Sequence, residues 1–417
     1  MTSRERLQAA LSHRQPDRVP LDLGASAVTG IHASSLYRLR QALEMDAPGT
    51  PVKVNEPYQM LGEVEPDLMD TLGVDVVGLL GPRTMFGFAN EGWKEWRLFD
   101  GTPVLVPEGF NTDPEPDGSL LMYPEGDKSV PPSGRMPAGG FYFDSIPRQE
   151  PIDEDKLDPE DNLEEFEPIS DEDLEYFANE AARLRRESDR GILASFGGTA
   201  FGDIALVPAP WLKHPKGIRD VAEWYMSTAM RRDYVYKIFE RQCEIGVANL
   251  ERLHARIGDA VDAVFVTGTD FGMQQGPFIS PAAYRDLFMP FHRAVNDWVH
   301  QHTTWKTFIH SCGSLQPLLP DMIAAGFDIL NPVQCSAYDM DPRDLKARYG
   351  DQLTFWGGGV DTQNTLPFGS PAEVRAEVRE RIEVLGQGGG FVFNTVHNIQ
   401  ANVPVENLLA LFEAVRQ

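Results

Sequence analysis

One short run of the sequence places a histidine and a cysteine where both could bind the same metal ion. Residues 306–313 read as an apolar strand that ends in His310, Ser311, Cys312 and Gly313. Because alternate residues of a strand point to the same face, the His310 imidazole and the Cys312 thiol can converge on one point. Gly313 lets the chain turn away directly after them. Imidazole nitrogen and thiolate sulfur are preferred zinc ligands, so this pair is a candidate metal site.

Other predicted strands also end at polar or metal-binding side chains. In chain order these are Asp270, Gln334 with Cys335, Asp361 and His397, and Asp75 stands early in a further strand. The carboxyl ends of the strands in a βα barrel meet at one mouth, which holds the active site. We expect Asp270 and Asp361 to orient a substrate or relay a proton, and Gln334 to form a hydrogen bond in the pocket. The alternatives are that both aspartates cap helices or loops, that His397 is structural, and that Cys335 is a small buried hydrophobe.

A repeating strand–helix pattern runs from about residue 190 to the end of the chain and positions these residues. Such alternation with short connections indicates a parallel sheet made of βα units. The predicted strands of this part are Gly191–Gly198, Ala263–Asp270, Lys306–Gly313, Phe327–Gln334, Leu353–Asp361 and Gly389–His397. Two more candidates, Arg18–Gly24 and Val74–Leu80, complete the eight strands that a closed (β/α)8 TIM-type barrel needs.

The rhythm breaks between Gly92 and Pro168, where Pro, Gly and Asp are frequent. Short β-like pieces separated by turn signals indicate hairpins; these pieces are Trp96–Phe99, Thr102–Val106, Leu120–Tyr123 and Gly140–Phe143. We therefore predict one barrel domain over residues 1–417, with a β-rich insertion at 92–168 after the second strand, near the mouth. This insertion is either a functional lid or a structural or oligomer-contacting element.

Charge and composition exclude several functions. The formal net charge of −26 argues against nucleic-acid binding, since so acidic a protein repels phosphate backbones. No run of about 20 apolar residues predicts a membrane span, and the first residues do not read as a secretion signal. Three scattered cysteines favour a reducing cytoplasm. The stretch Asp153–Glu175, with thirteen carboxylates and one lysine, is predicted to be a solvated surface segment.

Several motifs give the chain a resemblance to a known superfamily. They are Arg4–Arg6, Gln15–Pro20, Gly276–Pro281, His310–Gly313, Asn331–Gln334, Gly357–Asp361, Gly388–Phe391 and Pro404–Asn407. With these motifs the chain resembles the uroporphyrinogen decarboxylase superfamily, and is most similar to its cobalamin-dependent methyltransferase branch. The resemblance covers nearly the whole chain apart from residues 92–168.

In that branch, the resemblance implies a zinc ion held by the His-x-Cys pair and by a further cysteine after the last strand. Aligned from Pro404 backward, His397 occupies that last position, so the implied ligands are His310, Cys312 and His397, with Cys335 as the alternative third ligand. The implied activity moves a methyl group between a small methylated compound or a thiol and a corrinoid (cobalamin) carried by a partner protein. A homo-oligomer is left open.

Two other functions are weighed against this one. The first is decarboxylation of a carboxylated tetrapyrrole without a metal. It would need arginines to bind the carboxylates, but the loop Asp22–Gly30 contains none. The second is a barrel that binds a corrinoid or another ligand without catalysis.

Overall fold

The computed structural model describes residues 1–416, and its centre is a parallel sheet of seven strands. Each strand pairs in parallel with the next one along the chain. The strands are β1 (Val76–Leu79), β2 (Gly191–Ala194), β3 (Ala263–Thr267), β4 (Lys306–His310), β5 (Ile329–Asn331), β6 (Thr354–Trp356) and β7 (Phe391–Val392).

The segment around Leu21 closes this sheet into a barrel. Leu21 forms a parallel bridge with Phe393, which directly follows β7. The Leu21 carbonyl also accepts a hydrogen bond of 2.7 Å from the Asp75 amide, which directly precedes β1. The predicted (β/α)8 TIM-type barrel is therefore confirmed. Its first strand is only this bridge rather than the predicted Arg18–Gly24, because Pro20 has no amide hydrogen to donate and Gly24 turns away at a φ of 91°.

The interior of the barrel is a small apolar core of its own. Each of the seven strands contributes one buried side chain to it, and helix Ser3–Leu11 adds Leu7, Ala10 and Leu11. The helix lies at the amino end of the barrel, since Ala10 O accepts a hydrogen bond from Gly390, just before β7. At Gly191 the start of β2 comes so close to the helix that a Cβ atom would lie 2.1 Å from Leu7 Cδ2.

Helices follow most of the strands, as the predicted strand–helix alternation requires. Two of them, Pro281–Leu287 and Met289–His302, meet at Phe288. The α-helices are Ser3–Leu11, Ala33–Ala42, Pro66–Leu72, Asp171–Glu187, Val221–Met230, Arg232–Ile257, Pro281–Leu287, Met289–His302, Leu319–Ala324, Pro342–Tyr349, Thr365–Phe368, Pro371–Gly386 and Val405–Arg416. Short 3-10 helices span Pro124–Gly126, Glu154–Lys156, Pro159–Asn162 and Gln316–Leu318. No helix among residues 1–416 is both long and apolar enough to cross a membrane.

The acidic stretch predicted as a solvated segment is built into the fold. Its last part begins the helix Asp171–Glu187, which buries Leu174, Phe177, Ala181 and Leu184 along one face. Just before this helix, Glu164 and Glu165 form ion pairs with Arg219, whose side chain is 1% exposed. Nine of its thirteen carboxylates are exposed, so the predicted surface position is confirmed. The count of carboxylates did not show that a buried arginine and the apolar face of a helix anchor parts of the stretch.

Two small sheets and one hairpin lie outside the barrel sheet. The first sheet contains Leu61–Gly62, Val52–Glu56, Pro103–Val106 and Lys94–Arg97, and the second contains Thr112–Pro114, Leu120–Met122, Gly134–Met136 and Asp144–Ser145. The hairpin Gly272–Met273 and Gly276–Pro277 follows β3. The last predicted β piece, Gly140–Phe143, is not a strand. The first sheet also reaches outside the predicted insertion, because Val52 and Lys53 pair with Val104 and Leu105.

Candidate metal centre

Strand β4 brings His310 and Cys312 together at its carboxyl end. His310 is its last residue, and the His310 Nε2 atom lies 3.4 Å from the Cys312 Sγ atom. Zinc bonds of about 2.0 Å to nitrogen and about 2.3 Å to sulfur, at a tetrahedral angle, place the two ligand atoms about 3.5 Å apart. The pair thus has the separation that a shared zinc ion requires.

His397 reaches the same point from the loop after β7. The ligand atoms of His310, Cys312 and His397 all lie within 4.8 Å of one another. The rings of the two histidines are 5.4 Å apart and inclined at 74°. The Val396 amide donates to Val360 O, which holds this loop against the loop after β6. Within residues 1–416, no other group of three metal-binding side chains comes as close together.

Asn331, the last residue of β5, sets the orientation of the His310 ring. The Asn331 Nδ2 group donates to Trp356 O at 2.8 Å, which leaves its Oδ1 atom facing His310 Nδ1 at 2.5 Å. Because Oδ1 can only accept, His310 carries its proton on Nδ1 and presents the lone pair of Nε2 toward Cys312 and His397. Partners of this kind orient the histidine ligands of metal sites. Asn331 is therefore a positioning residue.

Two polar side chains hold the backbone around Cys312. The Asp270 Oδ1 atom accepts a hydrogen bond of 2.6 Å from the Cys312 amide, and Gln334 Oε1 accepts one of 2.8 Å from the Gly313 amide. Gly313 has a φ of 86°, and a Cβ atom there would lie 2.5 Å from the Gly272 backbone. The hairpin after β3 therefore packs directly on the turn that carries the thiol.

Burial controls the electrostatics of the three ligands without a metal ion. It lowers the pKa of His310 to about 4, against the hydrogen bond to Asn331. It also lowers the pKa of His397 to about 4, although part of that ring is reached by solvent. Burial and the nearby charge of Asp270 raise the pKa of the Cys312 thiol well above its ordinary value. Both imidazoles are thus neutral at physiological pH, as metal binding requires.

Comparison with known proteins identifies the family of this chain. The family model for uroporphyrinogen decarboxylase (URO-D) matches residues 138–417, more than half of the sequence. The chain belongs to the uroporphyrinogen decarboxylase family.

Individual members of the family are distant relatives. The chain is 24% identical over 209 residues to the uroporphyrinogen decarboxylase of Pseudoalteromonas atlantica, covering 46% of this chain and 56% of that protein. It is 25% identical over 255 residues to that of Pelobacter propionicus, covering 60% of this chain and 67% of that protein. The first of these matches spans little more than half of the relative's length.

A solved structure supports the fold over the full length. A methyltransferase from Methanosarcina mazei superposes with a TM-score of 0.54 at 16% identity, covering 100% of this chain and 98% of that one. At this identity the likeness shows the fold alone.

Other residues predicted for the site lie apart from the three ligands. Both carboxylate oxygens of Asp361 accept hydrogen bonds inside their own loop, from the Gln363 amide and from Asn364 Nδ2. Cys335 lines a different cavity of about 390 Å³ with Gln316 and Arg348.

Asp75 lies at the opposite end of the barrel from the other predicted polar groups. It directly precedes β1 and forms ion pairs with Arg6 and Arg18. Its place early in the predicted strand Val74–Leu80 agrees with this position, which is not at the carboxyl end that forms the mouth.

Two residues that the sequence did not single out complete the mouth on one side. Asp203 lies in the loop after β2 and is 9% exposed, and only its Oδ1 atom has a hydrogen bond, from the Ala205 amide. Burial and the charge of Asp270 raise the pKa of Asp203 to about 7. Tyr225 follows on the helix Val221–Met230, with its ring 4.8 Å from that of Phe278. The glycines around Asp203, in Gly197-Gly198-Thr199-Ala200-Phe201-Gly202, were the available sequence signal.

Proposed function

We propose that this chain is a zinc-dependent methyltransferase that works with a corrinoid protein. It would move a methyl group between the corrinoid and a small methylated compound or thiol. One observation carries the proposal: the imidazole and thiol of His310 and Cys312 converge within 4.8 Å with the imidazole of His397, which is distant in the sequence, at the mouth of the barrel. A site with three protein ligands leaves the fourth position of zinc for a substrate.

Zinc bound here would act as a Lewis acid that favours loss of a proton from a substrate thiol, or polarises a substrate oxygen. Residues of the chain would position the ligands and the substrate. Asn331 keeps His310 in the tautomer that can bind a metal. The Asp270 carboxylate and the side-chain carbonyl of Gln334 fix the backbone around Cys312. The second Asp270 oxygen would orient the substrate or accept its proton. For Asp361 this role stays a prediction, because its oxygens already bind their own loop.

The methyl carrier would come from a separate protein. No Asp-x-His-x-x-Gly corrinoid motif occurs in the sequence. The connections that follow β2, β3, β5 and β6 expose large apolar side chains, namely Met226, Met230, Met273, Tyr338 and Phe368. Exposed apolar groups of this kind are typical of interaction surfaces. We propose that the corrinoid protein docks there.

The segment 92–168 would border this docking surface. Phe141 O lies 2.8 Å from His32 Nε2, in the loop after the Leu21 bridge. Arg148 donates to Leu212 O and Ala209 O, in the loop after β2. Both loops are on the mouth side, so we propose that the segment forms a wall of the mouth.

Metal analysis and a methyl-transfer assay test the proposal together. The purified protein should bind one zinc ion, and methyl transfer should require both zinc and an added corrinoid protein. The control is Cys243→Ala, since Cys243 is buried in the helix Arg232–Ile257, where its thiol contacts the Phe291 carbonyl, and it is not one of the three converging ligands. Absence of zinc in the wild-type protein, or full activity of His310→Ala, would refute the proposal.

A second candidate is decarboxylation of a tetrapyrrole, which the similarity to the uroporphyrinogen decarboxylases of Pseudoalteromonas atlantica and Pelobacter propionicus favours. The loop Asp22–Gly30 opposes it. Asp22 is buried there and accepts hydrogen bonds from the Trp356 indole and the Ala25 amide, and no arginine is present in the loop. Turnover of uroporphyrinogen that survives chelators would favour the decarboxylase.

A further inference from the structure

The side of the mouth next to Cys312 contains carboxylates that have no cationic partner. Neither Asp203 nor Asp270 forms an ion pair within residues 1–416, although the structure pairs most other buried carboxylates with arginine. Each uses its Oδ1 atom for a backbone amide. The Asp270 carboxylate also interacts with the Cys312 side chain. The Oδ2 atom of Asp203 accepts no hydrogen bond from the described residues, and it is not among the fully buried polar atoms that lack a partner.

These two carboxylates face the same space. The Asp203 Oδ2 atom lies 2.6 Å from where a Cβ atom of Gly268 would be, two residues before Asp270. Burial raises the pKa of Asp203 and of Tyr225, and the charge of Asp270 adds to both shifts, as the charge of Asp203 does for Tyr225. No lysine or arginine among the described residues contributes to any of these shifts. The space is therefore bordered by negative charge only.

The net charge expected for the centre with zinc bound leads to the same conclusion. A zinc ion with one thiolate and two neutral imidazoles would keep one positive charge, which an ionised Asp270 would balance. Asp203, whose pKa is raised to about 7 by burial, would add one negative charge in its ionised form, and a bound cation would favour that form. Buried charge without compensation is costly, so a bound group of one positive charge would be favoured. The ring of Tyr225, packed against Phe278, adds an aromatic surface, and aromatic rings attract ammonium groups.

We infer that the substrate which fills the open side of the metal centre carries a positively charged ammonium group, bound by the Asp203 carboxylate and the ring of Tyr225. The inference rests on the proposed function, since it concerns a substrate of that centre. The substrate class is a small molecule in which a thiol, thioether or ether oxygen binds at the metal and an ammonium group binds beside Asp203. A carboxylated substrate is disfavoured.

Three thiols of similar size and different charge test this inference. Cysteamine is cationic, mercaptoethanol is neutral, and mercaptoacetate is anionic. Their binding to the zinc-loaded protein is measured by calorimetry at one pH. We expect cysteamine to bind most tightly and mercaptoacetate least. In Asp203→Asn the preference for cysteamine over mercaptoethanol should fall by about tenfold, the effect of losing a hydrogen bond to a charged group. Because both proteins meet the same thiols, this comparison removes the difference in thiol acidity.

Two further variants sharpen the test. Asp171→Asn removes one carboxylate that is 96% exposed, and it should keep the wild-type preference. Tyr225→Leu should lower cysteamine affinity more than mercaptoethanol affinity, and it serves as the test if Asp203→Asn does not fold. Equal binding of the three thiols, or a preference unchanged in the Asp203 and Tyr225 variants, overturns the inference while the metal centre stands. A wild-type protein that takes up no zinc overturns the proposed function as well.

Discussion

Buried carboxylates at the amino end of the barrel have cationic partners, whereas those at the mouth have none among the described residues. Asp75 accepts hydrogen bonds from Arg6, from Arg18 and from the Leu21 amide, and its side chain is 0% exposed. Asp262, before β3, is bound by Arg4 and Arg185 in the same way. At the mouth, Asp203 and Asp270 each accept one backbone amide.

This difference indicates that buried aspartates have two different roles in this protein. A paired carboxylate at the amino end joins helix Ser3–Leu11 to the strands and stabilises the closed barrel. An unpaired carboxylate at the mouth costs stability, and groups with perturbed pKa values cluster at functional sites. Changes at the amino end should therefore alter folding, and changes at the mouth should alter binding.

The largest effect is expected at the metal centre. Cys312→Ser should lower zinc affinity by more than the ~100-fold that loss of a supporting partner can cause, because a ligand itself is replaced by a poorer one. Zinc content after dialysis and competition with a chelator measure this loss. The metal-free variant should unfold at the same denaturant concentration as metal-free wild type. A variant that keeps its zinc would show that Cys312 is not a ligand.

The next largest effect is expected at the amino end. Asp75→Asn should lower the free energy of unfolding by about 3–5 kcal/mol, because Arg6 and Arg18 lose the buried carboxylate that they share and Arg6 keeps only the exposed Asp17. Chemical denaturation of the metal-free protein measures it, and zinc affinity should not change. The matched control is Asp17→Asn, whose 43% exposed carboxylate also pairs with Arg6. It should cost about 1 kcal/mol or less. Equal losses in both variants would contradict the contrast between paired and unpaired charge.

A smaller effect on binding is expected from Asn331, which does not touch the metal position. Asn331→Ala should weaken zinc binding by about 10–100-fold, because His310 loses the acceptor that fixes its tautomer. Asn331→Asp keeps an acceptor for His310 Nδ1 and should recover most of the affinity. Both variants lose the hydrogen bond to Trp356 O, so a difference in zinc affinity between them isolates the effect on His310. Equal zinc affinities would refute the positioning role.

The smallest effect is expected from a surface pair at the amino end. His300 Nε2 lies 2.7 Å from Asp328 Oδ2, and this hydrogen bond raises the pKa of His300. A raised folded pKa means that the stabilisation is complete below the ordinary histidine pKa near 6.5 and is lost as the pH rises through the folded value. Since His300 is 36% exposed, solvent screening limits the contribution to about 0–1 kcal/mol.

Unfolding of His300→Gln and wild type across this pH range measures the contribution. The difference between them should fade toward alkaline pH. His302→Gln is the control, because the described residues give His302 no carboxylate partner: its Nδ1 atom contacts the Trp298 carbonyl and its ring stacks on that of Trp298. A constant difference for His300→Gln would show that the pair adds no charge-dependent stability.

Short-range patterns account for what could be predicted. Strands β2 to β7 all lie within their predicted ranges, since each is an apolar run closed by turn residues. The strand of Gly191–Gly198 ends early, at Ala194, because Gly197 and Gly198 adopt φ values of 79° and 82°. The helix Asp171–Glu187 was missed, although its buried residues have helical spacing. Neither Asn331 nor Asp203 could be recognised, because each depends on contacts between different strand ends.

The sequence by itself determined the barrel and the convergence of His310 with Cys312. Both follow from local periodicity, since residues two apart on a strand share a face whatever the strand packs against. Only the tertiary structure decided which third residue joins them. His397 comes close because closure of the barrel brings the loop after β7 to the end of β4, across the mouth. The charge of the mouth also depends on the tertiary structure, because residues that are distant in the sequence determine whether a carboxylate has a cationic partner.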